Sequence, residues 1–370
     1  MRRLSDTVSR LTAMRRAGLA ANANDDGRLA TLTGFGSNPG ALDARIYLPD
    51  NLPVGAPLVV ILHGCTQNAS VYDTGSGWST LADRHGFALL FPEQRRANNF
   101  NLCFNWYVPA DARRGAGEAR SIAQMVEHMT AAHKLDPARV FVTGLSAGGA
   151  MTAVMLATYP ELFAGGAIIA GLPFGGANTL PEALERMRGH GGPSSRELSA
   201  RAKAAAPQRG PVPSLSVWHG THDTIVDPAN AGAIVDQWLD LHGVATAPGT
   251  VDTVDGHRRE TWRDADGRVV IERYDIAGMG HGTPIDTRGG ESCGTAGAHM
   301  LQADICSTRR IATSWGLTAT KASNEAARPV AVAASPTPSD RPPAAKSRPH
   351  RPDRVGKVIE DALRAAGLMR

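Results

Sequence analysis

The 370-residue sequence predicts an α/β protein with a mainly parallel sheet and helices on both faces. Short apolar runs alternate with helical patterns, and several runs are continuous and β-branched, as in strands buried on both faces. The predicted strands are Arg28–Phe35, Leu42–Tyr47, Leu58–His63, Ala88–Phe91, Val140–Gly144, Ala167–Ala170, Leu215–His219 and Val269–Ile276. The predicted helices are Glu118–Lys134, Ala147–Tyr159, Asn230–His242 and, approximately, Ala298–Trp315.

Two local patterns predict departures from the parallel arrangement. Few residues separate the first two predicted strands, so we expect them to form an antiparallel edge. The stretch Asp264–Gly267 predicts a hairpin turn ahead of the last strand.

The character of the sequence changes after Gly316, where Pro, Ala and Arg accumulate without periodicity. We predict an amphipathic N-terminal helix over residues 1–25, the α/β domain over 26–318, a disordered basic linker over 319–354 and a short terminal helix over 355–370. From Lys321 onward the sequence contains ten Lys and Arg and five Asp and Glu. The residues before Lys321 contain 29 Lys and Arg and 30 Asp and Glu. The basic charge therefore belongs to the tail, and the body does not indicate a nucleic-acid surface.

The sequence gives little indication of cellular location or of cysteine pairing. The chain lacks a run of about 18 apolar residues, so we expect no membrane span. The Arg-rich start lacks the apolar core of a secretion signal, and Arg2–Arg3 makes a poor twin-arginine signal. Four cysteines permit two disulfides in three connectivities, or four thiols in a cytosolic protein. No C-x-x-C pair occurs, which disfavours a zinc site.

Ser146 lies in the pattern G-x-S-x-G, between Gly144 and Gly148. A strand pattern precedes it and a helical pattern follows, which is the context of a nucleophile elbow. In such a turn the serine backbone is strained, and the residues two positions away come too close to carry a Cβ. A flexible Gly/Ala loop is the alternative for the pentapeptide alone.

An elbow serine requires an acid and then a histidine farther along the chain, each on a loop after a strand. Asp223 lies in the loop beyond Leu215–His219, where a carboxylate can reach a histidine ring. Asp227 precedes Pro228 and a helical pattern, which is typical of a helix N-cap. We therefore predict Asp223 as the acid and Asp227 as a structural residue.

His281 follows the last predicted strand between glycines and is the predicted base. His222 is the nearest rival, but it precedes that strand. His219 and His222 in "HGTH" could suggest a metal pair, although no matching ligand cluster occurs elsewhere, so we expect neither metal nor cofactor. The backbone N–H of Ala147 is one predicted oxyanion donor, and that of Cys65, after Gly64, is the other.

Seven motifs in this order resemble the poly(3-hydroxybutyrate) depolymerase family of esterases, which is related to feruloyl and acetylxylan esterases. They are "HGCTQN", "FPEQ", "CFNWY", "GLSAGGAM", "YPELF", "HGTHD" and "GMGH", and the resemblance spans about residues 42–317. It implies an α/β-hydrolase fold and serine esterase activity on short-chain hydroxyalkanoate esters. It also implies the triad Ser146, Asp223 and His281, with oxyanion amides at Cys65 and Ala147.

The resemblance further implies an extracellular protein with the disulfides Cys65–Cys103 and Cys293–Cys306. The sequence departs from the family in showing no secretion signal, so a cytoplasmic location is the alternative. Gly282-Thr283-Pro284 follows His281 where the family often has an aromatic residue. Trp106 is the remaining candidate for lining the substrate pocket, and a core tryptophan is its alternative interpretation.

Three functional hypotheses follow: an esterase for short-chain hydroxyalkanoates, a feruloyl or acetylxylan esterase, and a non-catalytic scaffold that binds anions or proteins. The partner of either enzyme is a small or polymeric ester, and the sequence does not indicate an oligomeric state. Residues 172–213 are positioned to cover the site and contain few large apolar side chains. We therefore expect short acyl chains and no activation at a lipid interface.

Overall fold

The structure is a computed structural model that describes residues 27–206, 211–244, 249–288 and 292–318. The predicted N-terminal helix, linker and terminal helix lie outside the described residues. The helices among these residues are too short or too polar to span a bilayer.

A ten-stranded sheet organises the described residues, in the order β1-β2-β4-β3-β5-β6-β7-β10-β9-β8. Strands β3 to β7 and β10 are parallel to their sheet neighbours within that group, whereas β1, β2, β8 and β9 pair antiparallel at the two edges. The strands are β1 Ala30–Thr31, β2 Asp43–Tyr47, β3 Leu58–Leu62, β4 Ala88–Glu93, β5 Val140–Leu145, β6 Gly165–Ile169, β7 Ser214–Gly220, β8 Thr250–Val254, β9 His257–Arg263 and β10 Val269–Ile276. A separate parallel pair consists of β11 Thr283–Ile285 and β12 Met300–Gln302.

Eight α-helices lie in the described part of the chain, and all but the last lie between strands. They are α1 Ala69–Ser76, α2 Trp78–His85, α3 Gly117–Ala132, α4 Ala147–Thr158, α5 Leu180–Met187, α6 Ser195–Ala205, α7 Ala229–His242 and α8 Ser307–Ser314. A 3₁₀ turn, Pro160–Leu162, follows α4 and stops that helix at a proline.

Burial explains why the central strands are continuous apolar runs. All five residues of β3, Leu-Val-Val-Ile-Leu, are buried. Alternate side chains point to opposite sides of the sheet, so Leu58 and Val60 join one apolar cluster and Val59 and Ile61 join the other. The predicted α/β fold with a mainly parallel sheet is confirmed.

The antiparallel edge and the hairpin turn are also confirmed. Strand β1 pairs antiparallel with β2 at one edge. Asp264–Gly267 joins β9 to β10, and the N–H of Gly267 donates to the carbonyl of Asp264 at 3.0 Å.

The boundaries were wrong at both ends of the domain. Only Ala30–Thr31 of the predicted strand Arg28–Phe35 pairs with a neighbour. The predicted helix over 298–315 begins only at Ser307, because Met300–Gln302 pairs with Thr283–Ile285. Strands β8 and β9 were not predicted, since neither has an apolar run and most residues of β8 are exposed.

Candidate active site

Ser146 stands at a sharp corner between β5 and α4, with φ 57° and ψ −115°. A Cβ on Gly144 would lie 2.5 Å from the backbone carbon of Gly148, and a Cβ on Gly148 would lie 2.1 Å from the carbonyl oxygen of Leu62. Both flanking positions therefore require glycine, as the elbow interpretation predicted. The N–H of Ser146 donates to the carbonyl of Ile169 at 2.9 Å, which ties the corner to the neighbouring strand.

Asp223 lies in the turn after β7, fully buried. Its Oδ1 accepts hydrogen bonds from the N–H groups of Ile225 at 2.8 Å and Val226 at 3.0 Å. Its Oδ2 accepts a hydrogen bond from Nδ1 of His281 at 2.7 Å. Backbone donors thus hold one oxygen in place while the other faces the histidine ring.

Opposing effects set the pKa of Asp223. Burial alone would raise the pKa, but the charges and hydrogen bonds of His281 and His219 outweigh it and hold the pKa of this carboxyl well below its usual range. Asp223 is therefore a carboxylate at neutral pH, which makes it an obligatory hydrogen-bond acceptor.

The contact with Asp223 fixes the tautomer of His281. Because a carboxylate only accepts, the neutral imidazole of His281 carries its hydrogen on Nδ1 and its lone pair on Nε2. Nε2 is buried, and no described residue is its hydrogen-bond partner. The structure thus brings His281 and Asp223 together, whereas it shows no hydrogen bond between Ser146 and His281 among the described residues.

The loop of His281 is braced from the C-terminal side. Nδ1 of His299 lies 3.2 Å from the carbonyl oxygen of His281, and the N–H of Thr283 donates to the carbonyl of His299 at 2.8 Å. The disulfide Cys293–Cys306 closes the segment that carries His299. This second disulfide pairing, implied by the family resemblance, is confirmed.

His219 is a site residue that the sequence reasoning missed. It is the sixth residue of β7, and its Nε2 lies 3.3 Å from Oδ2 of Asp223 and 3.0 Å from the carbonyl oxygen of Val226. Both partners accept, so this nitrogen carries a hydrogen. The motif "HGTHD" contained the signal, because His219 precedes Asp223 by four positions across a turn.

The rivals considered for the site lie elsewhere. Oδ1 of Asp227 accepts from the N–H of Ala229 at 3.0 Å, which is the structural role predicted for it at the start of α7. The N–H of His222 donates to the carbonyl of Met279, and its side chain is exposed. The described residues contain no group of three His, Cys, Asp or Glu side chains that could hold a metal ion.

The two predicted oxyanion donors lie beside Ser146. Cys65 and Ala147 both line a cavity of about 140 Å³ that contains Ser146. No described residue accepts a hydrogen bond from the backbone N–H of Cys65 or Ala147. Neither amide is thus occupied by an acceptor from the described residues.

Cys65 and Cys103 form a disulfide, which confirms the other implied pairing. Both cysteines line this cavity. The N–H of Thr66 donates to the carbonyl of Asn101 at 2.7 Å, which joins the same two loops a second time. The segment that carries the Cys65 amide is thus held at one covalent and one hydrogen-bonded point.

Trp106 lies both in the core and beside the cavity of Ser146, while its contact with substrate stays a prediction. It is 7% exposed and belongs to a core cluster, yet its side chain also lines the cavity of Ser146. Its ring meets the ring of Tyr107 edge to face, with centroids 5.5 Å apart.

Part of the segment predicted to cover the site does border it, but its apolar content was underestimated. Helix α5 places four apolar side chains against the cavity of Ser146, and these are Leu180, Ala183, Leu184 and Met187. The predicted scarcity of large apolar residues is therefore wrong at the cavity itself. The small volume of the cavity, about 140 Å³, still limits what can bind there.

Residues 42–263 match the model of the family described as Esterase PHB depolymerase. The chain belongs to that family. It is also 44% identical, over 301 residues, to poly(3-hydroxyalkanoate) depolymerase C of Paucimonas lemoignei, a match that covers 81% of this chain and 72% of the relative. Family members are carboxylic ester hydrolases, and this chain is one of them.

Two further proteins similar to this chain are named as a feruloyl esterase and an acetyl xylan esterase. Feruloyl esterase B of Talaromyces stipitatus is 30% identical over 267 residues, covering 70% of this chain and 73% of the relative. The solved acetyl xylan esterase from Aspergillus awamori superposes with a TM-score of 0.66 at 25% identity, covering 78% of this chain and 99% of that one. The α/β-hydrolase fold and the family resemblance are confirmed.

Proposed function

We propose that this protein is a serine esterase that hydrolyses short-chain 3-hydroxyalkanoate esters, with Ser146 as nucleophile, His281 as base and Asp223 as the acid. The observation that carries the proposal is the buried hydrogen bond from Nδ1 of His281 to Oδ2 of Asp223. In the neutral imidazole this bond places the hydrogen on Nδ1 and the lone pair on Nε2, which has no described partner, as a general base requires.

In the acylation step, Nε2 of His281 takes the proton of Ser146 Oγ as that oxygen bonds to the ester carbonyl carbon. The carbonyl oxygen becomes an oxyanion and accepts hydrogen bonds from the N–H groups of Cys65 and Ala147. Collapse of this intermediate breaks the bond to the alcohol oxygen, which leaves with the proton held by His281. Asp223 stabilises the transient imidazolium but remains ionised.

In the deacylation step, a water molecule takes the place of Ser146 Oγ as the nucleophile. His281 takes one proton from the water as its oxygen attacks the acyl carbon, and returns that proton to Ser146 Oγ. The products are a carboxylic acid, which ionises at neutral pH, and the free enzyme. Each half-reaction begins and ends with the same protonation of His281 and Asp223.

The hydroxyalkanoate substrate is supported by the 44% identity to a poly(3-hydroxyalkanoate) depolymerase and by the small cavity at Ser146. Carbohydrate-acyl esters are the second candidate, since feruloyl and acetylxylan esterases are also similar to this chain. We also propose an extracellular location, because two disulfides suit an oxidising compartment.

A substrate panel with an active-site probe tests the proposal. The wild-type protein should react with a fluorophosphonate probe, and Ser146→Ala should not. Ser146→Ala should also lower kcat for p-nitrophenyl acetate by about 10⁴- to 10⁶-fold. Higher kcat/KM on 3-hydroxybutyrate oligomers than on acetylated xylan or methyl ferulate supports the hydroxyalkanoate assignment, and the reverse order would establish the carbohydrate-acyl one. A wild-type protein that does not react with the probe would support a non-catalytic scaffold.

A further inference from the structure

A second cavity adjoins the one that contains Ser146. It has a volume of about 490 Å³, and both cavities are lined by Trp106 and Tyr107. Phe174, which follows β6, adds a third aromatic wall to this groove. The groove is therefore apolar where it meets the proposed catalytic cavity.

The groove is also cationic, because three arginines line it. Arg114 is neutralised, since its guanidinium contacts the Glu161 carboxylate at 2.6 Å and lies over the Tyr159 ring. In contrast, Arg113 and Arg201 form no ion pair with any described residue, and no acidic side chain lines the groove. Two guanidinium groups without an ion pair to a described residue thus lie beside aromatic walls, and the nearby Glu197 carboxylate offsets the charge of Arg201 in part.

A hydrogen bond to the backbone holds the guanidinium of Arg201 in place. Its Nη1 donates to the carbonyl of Gly175 at 2.6 Å, and this carbonyl carries no charge to neutralise the guanidinium. Glu197, one turn earlier on α6, directs its Oε2 to the N–H and hydroxyl of Ser194 in the helix cap. The opposite wall is held through Gln237, whose side chain bonds both the N–H and the carbonyl of Phe174.

An apolar wall with guanidinium groups beside it suits a ligand that has an apolar body and a carboxylate end. A linear oligomer of a hydroxy acid has this form, because every chain ends in one free carboxylate while its internal units are neutral esters. An acetyl or feruloyl ester of a neutral sugar carries no carboxylate next to its scissile bond.

We propose that the groove bearing Arg113 and Arg201 binds the terminal carboxylate of a hydroxy-acid oligomer while a nearby ester bond lies at Ser146. This inference rests on the proposed esterase function and adds a preference for chain ends over neutral esters. Charge-assisted hydrogen bonds of this kind contribute about 1.5–3 kcal/mol, which corresponds to roughly 10- to 100-fold in kcat/KM.

The test compares the linear trimer of 3-hydroxybutyrate with the same trimer capped as a terminal methylamide, which replaces the carboxylate by a neutral group. We expect wild-type kcat/KM to favour the free acid by about 10-fold or more, and added salt to reduce that preference. Arg113→Gln combined with Arg201→Gln should abolish the preference and leave hydrolysis of the methylamide unchanged.

Arg196→Gln is the matched control, because it removes an exposed arginine from the same helix α6 outside the groove. It should leave the preference intact. Equal rates of wild type on both trimers, or a preference that survives in the double variant, would overturn the inference. If the double variant also loses hydrolysis of p-nitrophenyl acetate, the same comparison is made with Arg113→Gln and Arg201→Gln separately. Each single variant should reduce the preference for the free acid.

The two proposals fail in distinguishable ways. Hydrolysis of p-nitrophenyl acetate by the wild type depends on Ser146 and on neither arginine, so it reports on the esterase function by itself. Retained acetate hydrolysis without discrimination between the two trimers refutes only the carboxylate subsite.

Discussion

Oδ2 of Asp223 lies 2.7 Å from Nδ1 of His281, although 58 positions separate the two residues in the chain. The sheet order explains this proximity. Strands β7 and β10 are parallel neighbours, with Gly220 paired to Ile276, so the loops that leave their carboxyl ends meet at one edge. The pairing of two strands distant in sequence therefore determines the orientation of the imidazole.

Asp223→Asn tests this relationship most directly. An amide oxygen or nitrogen in place of Oδ2 loses the charge and no longer fixes the histidine tautomer, so kcat should fall by about 10³- to 10⁴-fold. Asp227→Asn is the control, because its Oδ1 bond to the N–H of Ala229 survives in an asparagine. Steady-state kinetics on p-nitrophenyl butyrate provide the measurement. An inactive Asp227→Asn beside an active Asp223→Asn would reassign the acid.

His219 should act as a positioning residue through its contact with Asp223. In His219→Leu, Oδ2 of Asp223 loses an N–H donor at 3.3 Å, and we expect kcat to fall about 10- to 100-fold with little change in KM. His219→Gln restores an N–H group at a similar distance from the backbone and should recover most of the activity. Unchanged kcat in the leucine variant, measured on folded protein, would assign His219 to the core alone.

The local geometry around Ser146 could be predicted from the sequence because it depends on adjacent residues. Glycines two positions before and after a serine predict a sharp strand–turn–helix corner. In the structure a Cβ on Gly144 or Gly148 would collide with backbone atoms, which is why this corner needs glycine. Asp223 and His281 could be named because each follows an apolar strand pattern. Their roles stay predictions until the variants are measured.

The remaining features depend on tertiary contacts that a linear pattern does not encode. His219 looked like the end of a buried strand, and only its distance to Asp223 identifies it as part of the site. Strands β11 and β12 have three residues each, too few to show periodicity, so Met300–Gln302 was assigned to a helix. The apolar face of α5 could not be recognised from the sequence, because the surrounding segment is rich in glycine and arginine. Only the structure shows that four of its apolar side chains border one cavity.

The disulfide Cys65–Cys103 should support both stability and catalysis. Thiol titration of the denatured, unreduced protein should detect no free thiol, and four thiols would contradict both pairings. Replacing both Cys65 and Cys103 by Ala should lower the free energy of unfolding by about 2–4 kcal/mol. If the Cys65 amide is then displaced, kcat should also fall, by up to about 10²- to 10³-fold. Unaltered kcat in a destabilised variant would limit the bridge to a structural role.

Glu118 should make stability depend on pH. It is buried in the first turn of α3, where its oxygens accept from Gln94 and from the N–H of Asn105. Burial raises the pKa of Glu118 from 4.5 to about 8, against the lowering effect of these hydrogen bonds. Between these values only the folded state retains the proton, so the free energy of unfolding should decrease as the pH rises.

The expected decrease is up to about 1.4 kcal/mol per pH unit between roughly pH 5 and pH 8. Urea unfolding at several pH values measures it, and Glu118→Gln should flatten the slope because an amide does not titrate. Glu127→Gln, which changes an exposed carboxylate on the same helix paired with Arg120, is the control. A slope that is the same in the wild type and both variants would contradict the assignment.

The acyl chain length that the enzyme accepts should be set by helix α5. The cavity at Ser146 has only about 140 Å³, and the side chains of Leu184 and Met187 help to close it. We therefore expect kcat/KM to be highest on p-nitrophenyl acetate and butyrate, and to fall steeply on octanoate and palmitate. Leu184→Ala should enlarge the cavity and shift the maximum toward longer chains, whereas Glu182→Gln, on the exposed side of the same helix, should leave the profile unchanged. A wild-type preference for the two long esters would contradict this role of α5.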